Sequence, residues 1–475
     1  MFDVAVVGAG VTGGMVAREL TRQGLAVCLL EKESDVAMGA SRANSGIVHA
    51  GYDALPGTLK ATLNVRGAAM MEQVASELGV SFRRCGSLVV GFDEADRQTL
   101  RRLYERGLTN GVSGLELLSR QAVHDKEPNL TEEVCEALWV PTGAIICPYG
   151  LTIAAIGNAM DNGAELLTGF AVSALEKTPE GWQLQGADGR QVTARAVVNC
   201  AGLYADEVAR MAGDHSFTIR ARRGEYLMLD RACGGLVNHT VFMTPSERGK
   251  GVLVTPTAHG NLLVGPSSED IDDKGDTATT AAGLAAVKSK ASRSVRGIPF
   301  HRVITSFSGL RAVGSSGDFI INMPLPGFVN CAGIESPGLT AAPAIALYVA
   351  ELLRAAGYPL SPRTDFVPVR RKNPIFRELT DDEKNRLIRE DPRYGRVVCR
   401  CETVTEGELV AAIHQHPRPH DMDALKRRTR CGMGRCQGGF CTPLVQEILA
   451  RETGIPEQAV TKSGRESYLY VGQTK

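Results

Sequence analysis

The densest chemistry lies near the end of the 475-residue sequence, where Cys399-Arg-Cys401 is followed about thirty residues on by Cys431-Gly-Met-Gly-Arg-Cys436-Gln-Gly-Gly-Phe-Cys441. Five of the 12 cysteines crowd together here. Thiols paired on loops can hold an iron–sulfur cluster or a structural zinc, and clustering of this kind points to metal rather than to disulfides. Gly432, Gly434, Gly438 and Gly439 leave the backbone room to fold around a metal group and aim amides at its sulfurs. Cys28, Cys85, Cys135, Cys147, Cys200, Cys233 and Cys331 are scattered singly through apolar segments and read as reduced core thiols. At the other end, Gly8-Ala-Gly10-Val-Thr12-Gly13 has the spacing of a pyrophosphate cradle: one glycine for a tight turn, one for close approach of a ligand, one for helix packing. Between the two lie a histidine and an arginine suited to catalysis. His49 titrates near neutrality and can serve as a base without burying a permanent charge. Arg311 can clamp a phosphate or a carboxylate with two parallel charge-assisted hydrogen bonds.

The surrounding elements must position these groups. Val4–Val7 is a buried strand, Gly14–Gln23 has helical spacing, and Ala26–Leu30 is a second strand ending at Glu31, whose carboxylate can accept ribose hydroxyls. Helical patterns follow at about 59–78 and 95–107, and another closes the segment 138–160. A meander spans 166–200, and a strand-rich block covers 219–229, 252–256 and 260–265. After residue 358 a Pro-rich, charged stretch reads as a linker with one short helix. A small domain then starts at about Val397, where Thr403 and Glu406 suit a capping box and Pro443 suits a helix's first turn. His414, His416 and His420, and the basic run from Lys426 to Arg430, read as solvated loop or partner-docking surface. The run of small polar residues from Gly39 to Tyr52 can line a pyrophosphate and an isoalloxazine. With the cradle at the very N-terminus, it favours FAD over NAD.

Composition excludes several classes. With 43% hydrophobic and 22% charged residues the chain is neither disordered nor coiled coil. Lysine plus arginine (53) equals aspartate plus glutamate (53), so no global field draws nucleic acid or anionic membrane. No run approaches a spanning segment and Asp3 interrupts the first apolar stretch, so the expected location is cytoplasmic, with any membrane association made through a partner.

The chain resembles the D-amino-acid-oxidase-like superfamily of FAD enzymes. Within it, glycerol-3-phosphate dehydrogenases and oxidases come nearest, and L-2-hydroxyglutarate dehydrogenases next. The matching stretches are Asn44-Ser45-Gly46-Ile-Val-His49-Ala-Gly-Tyr52, Pro56-Gly-Thr-Leu-Lys60-Ala, Val198-Asn-Cys-Ala201-Gly202, Arg223-Gly-Glu-Tyr226, Ser308-Gly309-Leu-Arg311 and Gly333-Ile334-Glu335-Ser336-Pro-Gly338-Leu339-Thr340. The resemblance implies an α/β fold, a Rossmann-like FAD-binding domain with an inserted mixed β-sheet substrate domain. It implies FAD contacts from Gly8, Gly10, Thr12, Gly13, Glu31, Lys32, Ser41, Asn44, Ser45, Gly46, Val172, Ala201, Gly202, Gly309, Gly333, Ile334, Glu335, Gly338, Leu339 and Thr340. His49 and Arg311 become the catalytic pair, with His49, Tyr226, Arg311 and Ser336 around a small anionic substrate.

The C-terminal segment is similar to bacterioferritin-associated-ferredoxin-like 2Fe–2S domains, whose ligands match Cys399, Cys401, Cys436 and Cys441; Cys431 departs from the pattern. The expected organisation is FAD-binding segments at 1–80, 146–215 and 301–358, substrate-domain segments at 81–145 and 216–300, a linker at 359–396, the small helical 2Fe–2S domain at 397–450 and a tail at 451–475. The resemblance implies oxidation of sn-glycerol 3-phosphate, with electrons leaving to a partner flavoprotein or a membrane-anchored subunit. Oxidation of an L-2-hydroxy acid, an amine or amino-acid dehydrogenase subunit, and an electron-transfer or scaffold subunit are the alternatives.

Overall fold

The first apolar run, Phe2–Val7, is the middle strand of an eight-stranded sheet, flanked in parallel by Val27–Leu30 and Gln191–Asn199. A computed structural model describes every residue except 246–250, 465, 471 and 473–475. Val4 to Val7 are buried, as expected where both faces of a parallel sheet are covered. Helices Val11–Arg22, Pro148–Asp161 and Gly338–Ala355 cover one face, with Leu59–Leu78 packed against the last of them. The antiparallel hairpin Val172–Thr178/Gly181–Gly186 continues the sheet from Gln191–Asn199, and its buried residues share with helix Ala205–Ala212 the apolar cluster on the other face. Helix Gly338–Ala355 is long and apolar enough to cross a membrane, yet 61% of it is buried inside this core.

A second sheet of nine strands is built around the long antiparallel pair Ile219–Leu229 and Val303–Gly314. Its register sets Arg222 opposite Arg311, Gly224 opposite Gly309 and Tyr226 opposite Phe307. Because side chains alternate along a strand, these six residues share one face.

The small domain is a short hairpin, Val397–Cys399 and Val404–Thr405, followed by helices Glu406–Ile413, Met422–Thr429 and Thr442–Thr453 around Leu409, Leu425, Ile448 and Leu449. Pro443 sits in the first turn of the last helix as expected. The capping box does not fall on Thr403 and Glu406. Thr405 caps and Glu408 reciprocates, because Thr403 (φ 53°) belongs to the hairpin turn and the helix starts two residues later.

The linker is strapped to the first domain rather than free. Ser361 and Arg363 donate to the carbonyls of Gln23 and Arg22, Val367 exchanges hydrogen bonds with Asn158 and Asn162, and Arg370 donates to Glu77 O. The basic run is likewise not a solvated face. Arg427 and Arg428 close on Asp35 at 2.5 and 2.7 Å, all three side chains being at most 6% exposed. Arg430 reaches Glu402 (2.9 Å), Tyr149 Oη (3.1 Å) and Asn261 (3.0 Å). His416 Nδ1 lies 3.0 Å from Asp161 and His414 Nε2 2.8 Å from Glu452, so each half-exposed ring has a carboxylate hydrogen-bond partner.

Candidate active site and cluster loop

Between the two sheets lies one continuous cavity of about 1210 Å³, larger than the 300–1,000 Å³ usual for a single small ligand. Its far end is the N-terminus of helix Val11–Arg22, whose N-cap, Gly10, has no side chain to cap it. Such an end favours an anion. Gly8 (φ +103°) lies so close to the Cys200 carbonyl that a Cβ would meet it at 2.5 Å, and a Cβ on Gly13 would meet Gly8 O at 2.0 Å. Glu31 follows at the strand end, its Oε2 accepting from the Ala9 amide (2.9 Å) and its Oε1 from that of Glu33 (3.0 Å). Burial pushes this carboxyl up, while those two amides and Lys32 pull it down. Ser41 Oγ accepts from the Val11 amide at 2.9 Å, which fixes the Gly39–Tyr52 loop over the cradle. A helix start with glycine at its N-cap, a glycine cradle with no room for side chains and a buried acid beside it fit a dinucleotide.

At the near end, His49 is buried beside Tyr52, with ring centroids 4.6 Å apart. The Gly51 amide donates to Nδ1 at 3.2 Å, and Asn64, fully buried on helix Leu59–Leu78, places its amide 3.5 Å from the same atom. Arg311 reaches across the sheet face into the space Gly224 leaves open; a Cβ there would meet its Nη2 at 2.4 Å. Nη2 donates to Ser267 O (3.1 Å), and the guanidinium's charge acts on the buried Tyr226 hydroxyl, lowering a pKa that burial raises. Tyr226 stacks on Phe307 at 4.9 Å and 16°. Gly309 lets the loop pass: a Cβ would lie 1.8 Å from Ala43 O.

Of the residues expected at the site, His49, Tyr226, Arg311 and Ser336 line this cavity, as do Gly8, Gly10, Thr12, Glu31, Lys32, Ser41, Asn44, Ser45, Val172, Ala201, Gly202, Gly309, Ile334, Glu335, Gly338 and Leu339. Gly13, Gly46, Gly333 and Thr340 stand behind its wall. Gly46 (φ +65°) turns against Ile146 O, Gly333 (φ +64°) turns beside Gly314, and the Thr340 hydroxyl accepts the His49 amide at 2.8 Å. Thr340 therefore holds the His49 backbone. Arg222, Lys60, Lys274 and Asn64 also line the cavity and were not expected there. Their only signals are register opposite Arg311 for Arg222 and a buried polar residue on an apolar helix face for Asn64; Lys60 sits inside a matching stretch without a role, and Lys274 has none.

The cysteines form two groups. Cys401 and Cys436 place their Sγ atoms 3.7 Å apart, and the Sγ atoms of Cys399, Cys431 and Cys441 all lie within 4.8 Å of one another. The amides of Gly432 and Glu402 point at Cys399 Sγ, and those of Gly438, Gly439 and Phe440 at Cys436 Sγ. Thiols in two groups, each facing backbone donors, suit a cluster with two metal ions.

A family model described as FAD dependent oxidoreductase matches residues 3–352. The chain belongs to that family. A model described as BFD-like 2Fe-2S binding domain matches residues 397–451, so this FAD dependent oxidoreductase carries FAD and a 2Fe–2S cluster. It is 48% identical to a glycerol 3-phosphate dehydrogenase of Caloramator mitchellensis, covering 100% of this chain and 99% of that one. It is 32% identical to a glycerol 3-phosphate oxidase of Mycoplasma pneumoniae over 74% of this chain and 94% of the relative. The solved structure of the dithionite-reduced L-alpha-glycerophosphate oxidase of that organism, with FAD bound, superposes with a TM-score of 0.74 at 30% identity, covering 78% of this chain and 99% of that one.

Proposed function

We propose that this oxidoreductase converts sn-glycerol 3-phosphate to dihydroxyacetone phosphate and delivers the electrons to a separate acceptor protein. The observation that carries the reading is the end-to-end 48% identity to the Caloramator glycerol 3-phosphate dehydrogenase. The cavity supports it by bringing His49 and Arg311 together. When bound, FAD supplies a hydride acceptor and the 2Fe–2S cluster a one-electron carrier.

The chain's own residues bind, orient and move protons. Arg311, steadied by Ser267 O, presents a planar fork to the substrate's phosphate. His49 takes the proton from the substrate hydroxyl. The Gly51 amide donates to Nδ1 and the Asn64 side chain lies 3.5 Å from the same atom, so these two groups orient the ring. The electrons leave on the side of Cys401, which is exposed, and beside Cys441 stands Phe440, 86% exposed and placed for contact with a partner.

Anaerobic mixing with glycerol 3-phosphate should bleach the flavin's visible absorption within one turnover. If L-2-hydroxyglutarate bleaches it and glycerol 3-phosphate does not, the substrate assignment fails and Arg311 is a carboxylate site.

A further inference from the structure

Five thiols surround a cluster that takes four. Two thiolates on one tetrahedral metal, at a metal–sulfur bond of about 2.3 Å, stand about 3.8 Å apart. The 3.7 Å between Cys401 and Cys436 Sγ fits one iron. The second iron needs two more thiolates, and three are on hand: Cys399, Cys431 and Cys441, mutually within 4.8 Å and 1%, 4% and 4% exposed. The backbone delivers Cys431 there. It lies between Arg430 and Gly432, both left-handed (φ 66° and 85°), and the Cys431 amide donates to Thr429 Oγ1 at 3.3 Å. Its thiol faces those of Cys399 and Cys441.

We propose that Cys431 is a competent iron ligand, interchangeable with Cys399 or Cys441. The iron between these three residues then keeps two thiolates after loss of any one of them. Cys401 and Cys436 have no such reserve among the described residues. When Cys431 steps in, its thiol proton goes to solvent and its sulfur forms the iron bond that the missing cysteine would have made; no electron moves. The inference rests on Cys401 and Cys436 sharing one iron.

The test is a set of alanine variants in the full chain, purified without oxygen, with iron and acid-labile sulfide counted per chain and the dithionite-reduced cluster examined by electron paramagnetic resonance. Flavin content and far-ultraviolet circular dichroism control for folding. Cys399→Ala, Cys431→Ala and Cys441→Ala should each keep at least about half the wild-type iron, the first and third with altered g-values. Cys401→Ala, Cys436→Ala and the double variants Cys399→Ala/Cys431→Ala and Cys431→Ala/Cys441→Ala should fall below about a tenth. Folded, flavin-loaded Cys399→Ala or Cys441→Ala protein without iron would overturn the proposal. So would loss of the cluster from Cys431→Ala alone, which would make Cys431 an obligatory ligand. If Cys401→Ala keeps its iron, the premise about the shared iron fails instead.

Discussion

His49 is held by contacts that leave its ring chemistry adjustable. Its backbone amide is fixed by Thr340 Oγ1, while Nδ1 faces the Gly51 amide and the Asn64 side chain. Replacing His49 with Ala should lower the rate of flavin reduction by about 10² to 10⁴-fold, the usual worth of a positioned base, with flavin content unchanged. Asn64→Leu should slow the same step while leaving substrate affinity alone, and should shift its pH profile, because Nδ1 loses one of the two polar neighbours that orient the ring. Rapid-mixing traces across pH separate the two variants. Arg311→Lys keeps the charge but loses the fork, so the expected change is in substrate affinity. Hydrogen bonds to a charged group are worth about 1.5–3 kcal/mol, or roughly 10- to 150-fold in Kd. A weakened rate with unchanged Kd would remove Arg311 from the anionic end.

At the scale of elements, the cavity depends on positions where a side chain is missing. Gly224 and Gly309 share a sheet face with Tyr226 and Arg311; Gly309 lines the cavity and Gly224 makes room for the Arg311 guanidinium. Gly309→Ala would drive a Cβ into Ala43 O, backbone against backbone, with no flexible side chain to yield. The expected cost is about 1–3 kcal/mol, as for overpacking, and it should appear as reduced flavin retention because Ala43 belongs to the loop over the cradle. Full flavin content and unchanged melting temperature would show that the loop gives way. These elements were largely legible in sequence: the strand–turn–helix at residues 3–31 follows from apolar runs and glycine spacing, and the long strand Ile219–Leu229 from its pattern. The placement of Thr340 behind His49 and of Cys431 beside Cys399 was not. A hydroxyl at a helix start and a thiol in a Gly-rich loop look alike whether they touch a cofactor or the chain, and only the approach of residues 47–49 or 399 decides.

At the scale of the whole molecule, the basic run of the cluster domain docks on the flavin domain, a fact invisible locally because Asp35 lies almost four hundred residues upstream. Burial alone would push the Asp35 carboxyl up, but the charges and hydrogen bonds of Arg428 and Arg427 outweigh it and hold it well below the usual carboxylate range. A carboxyl with a depressed folded-state pKa stabilises fully above its unfolded value, about 3.9, and that contribution disappears as pH falls through the lower folded value. The clamp should therefore be intact at pH 5 and fail only in stronger acid. Asp35→Asn leaves two buried guanidinium groups without a counter-charge, a loss of about 3–5 kcal/mol where one partner of a buried pair is removed. The variant should lower the urea midpoint at pH 7 and open the linker to protease. Flavin reduction by substrate should keep its wild-type rate, while electron arrival at the cluster slows. Below about pH 3 the carboxylate's contribution in the wild type fades, so the two urea midpoints should converge. A constant gap between them from pH 7 down to pH 2 would mean that Asp35 seats the domain through its shape and hydrogen bonds rather than through its charge.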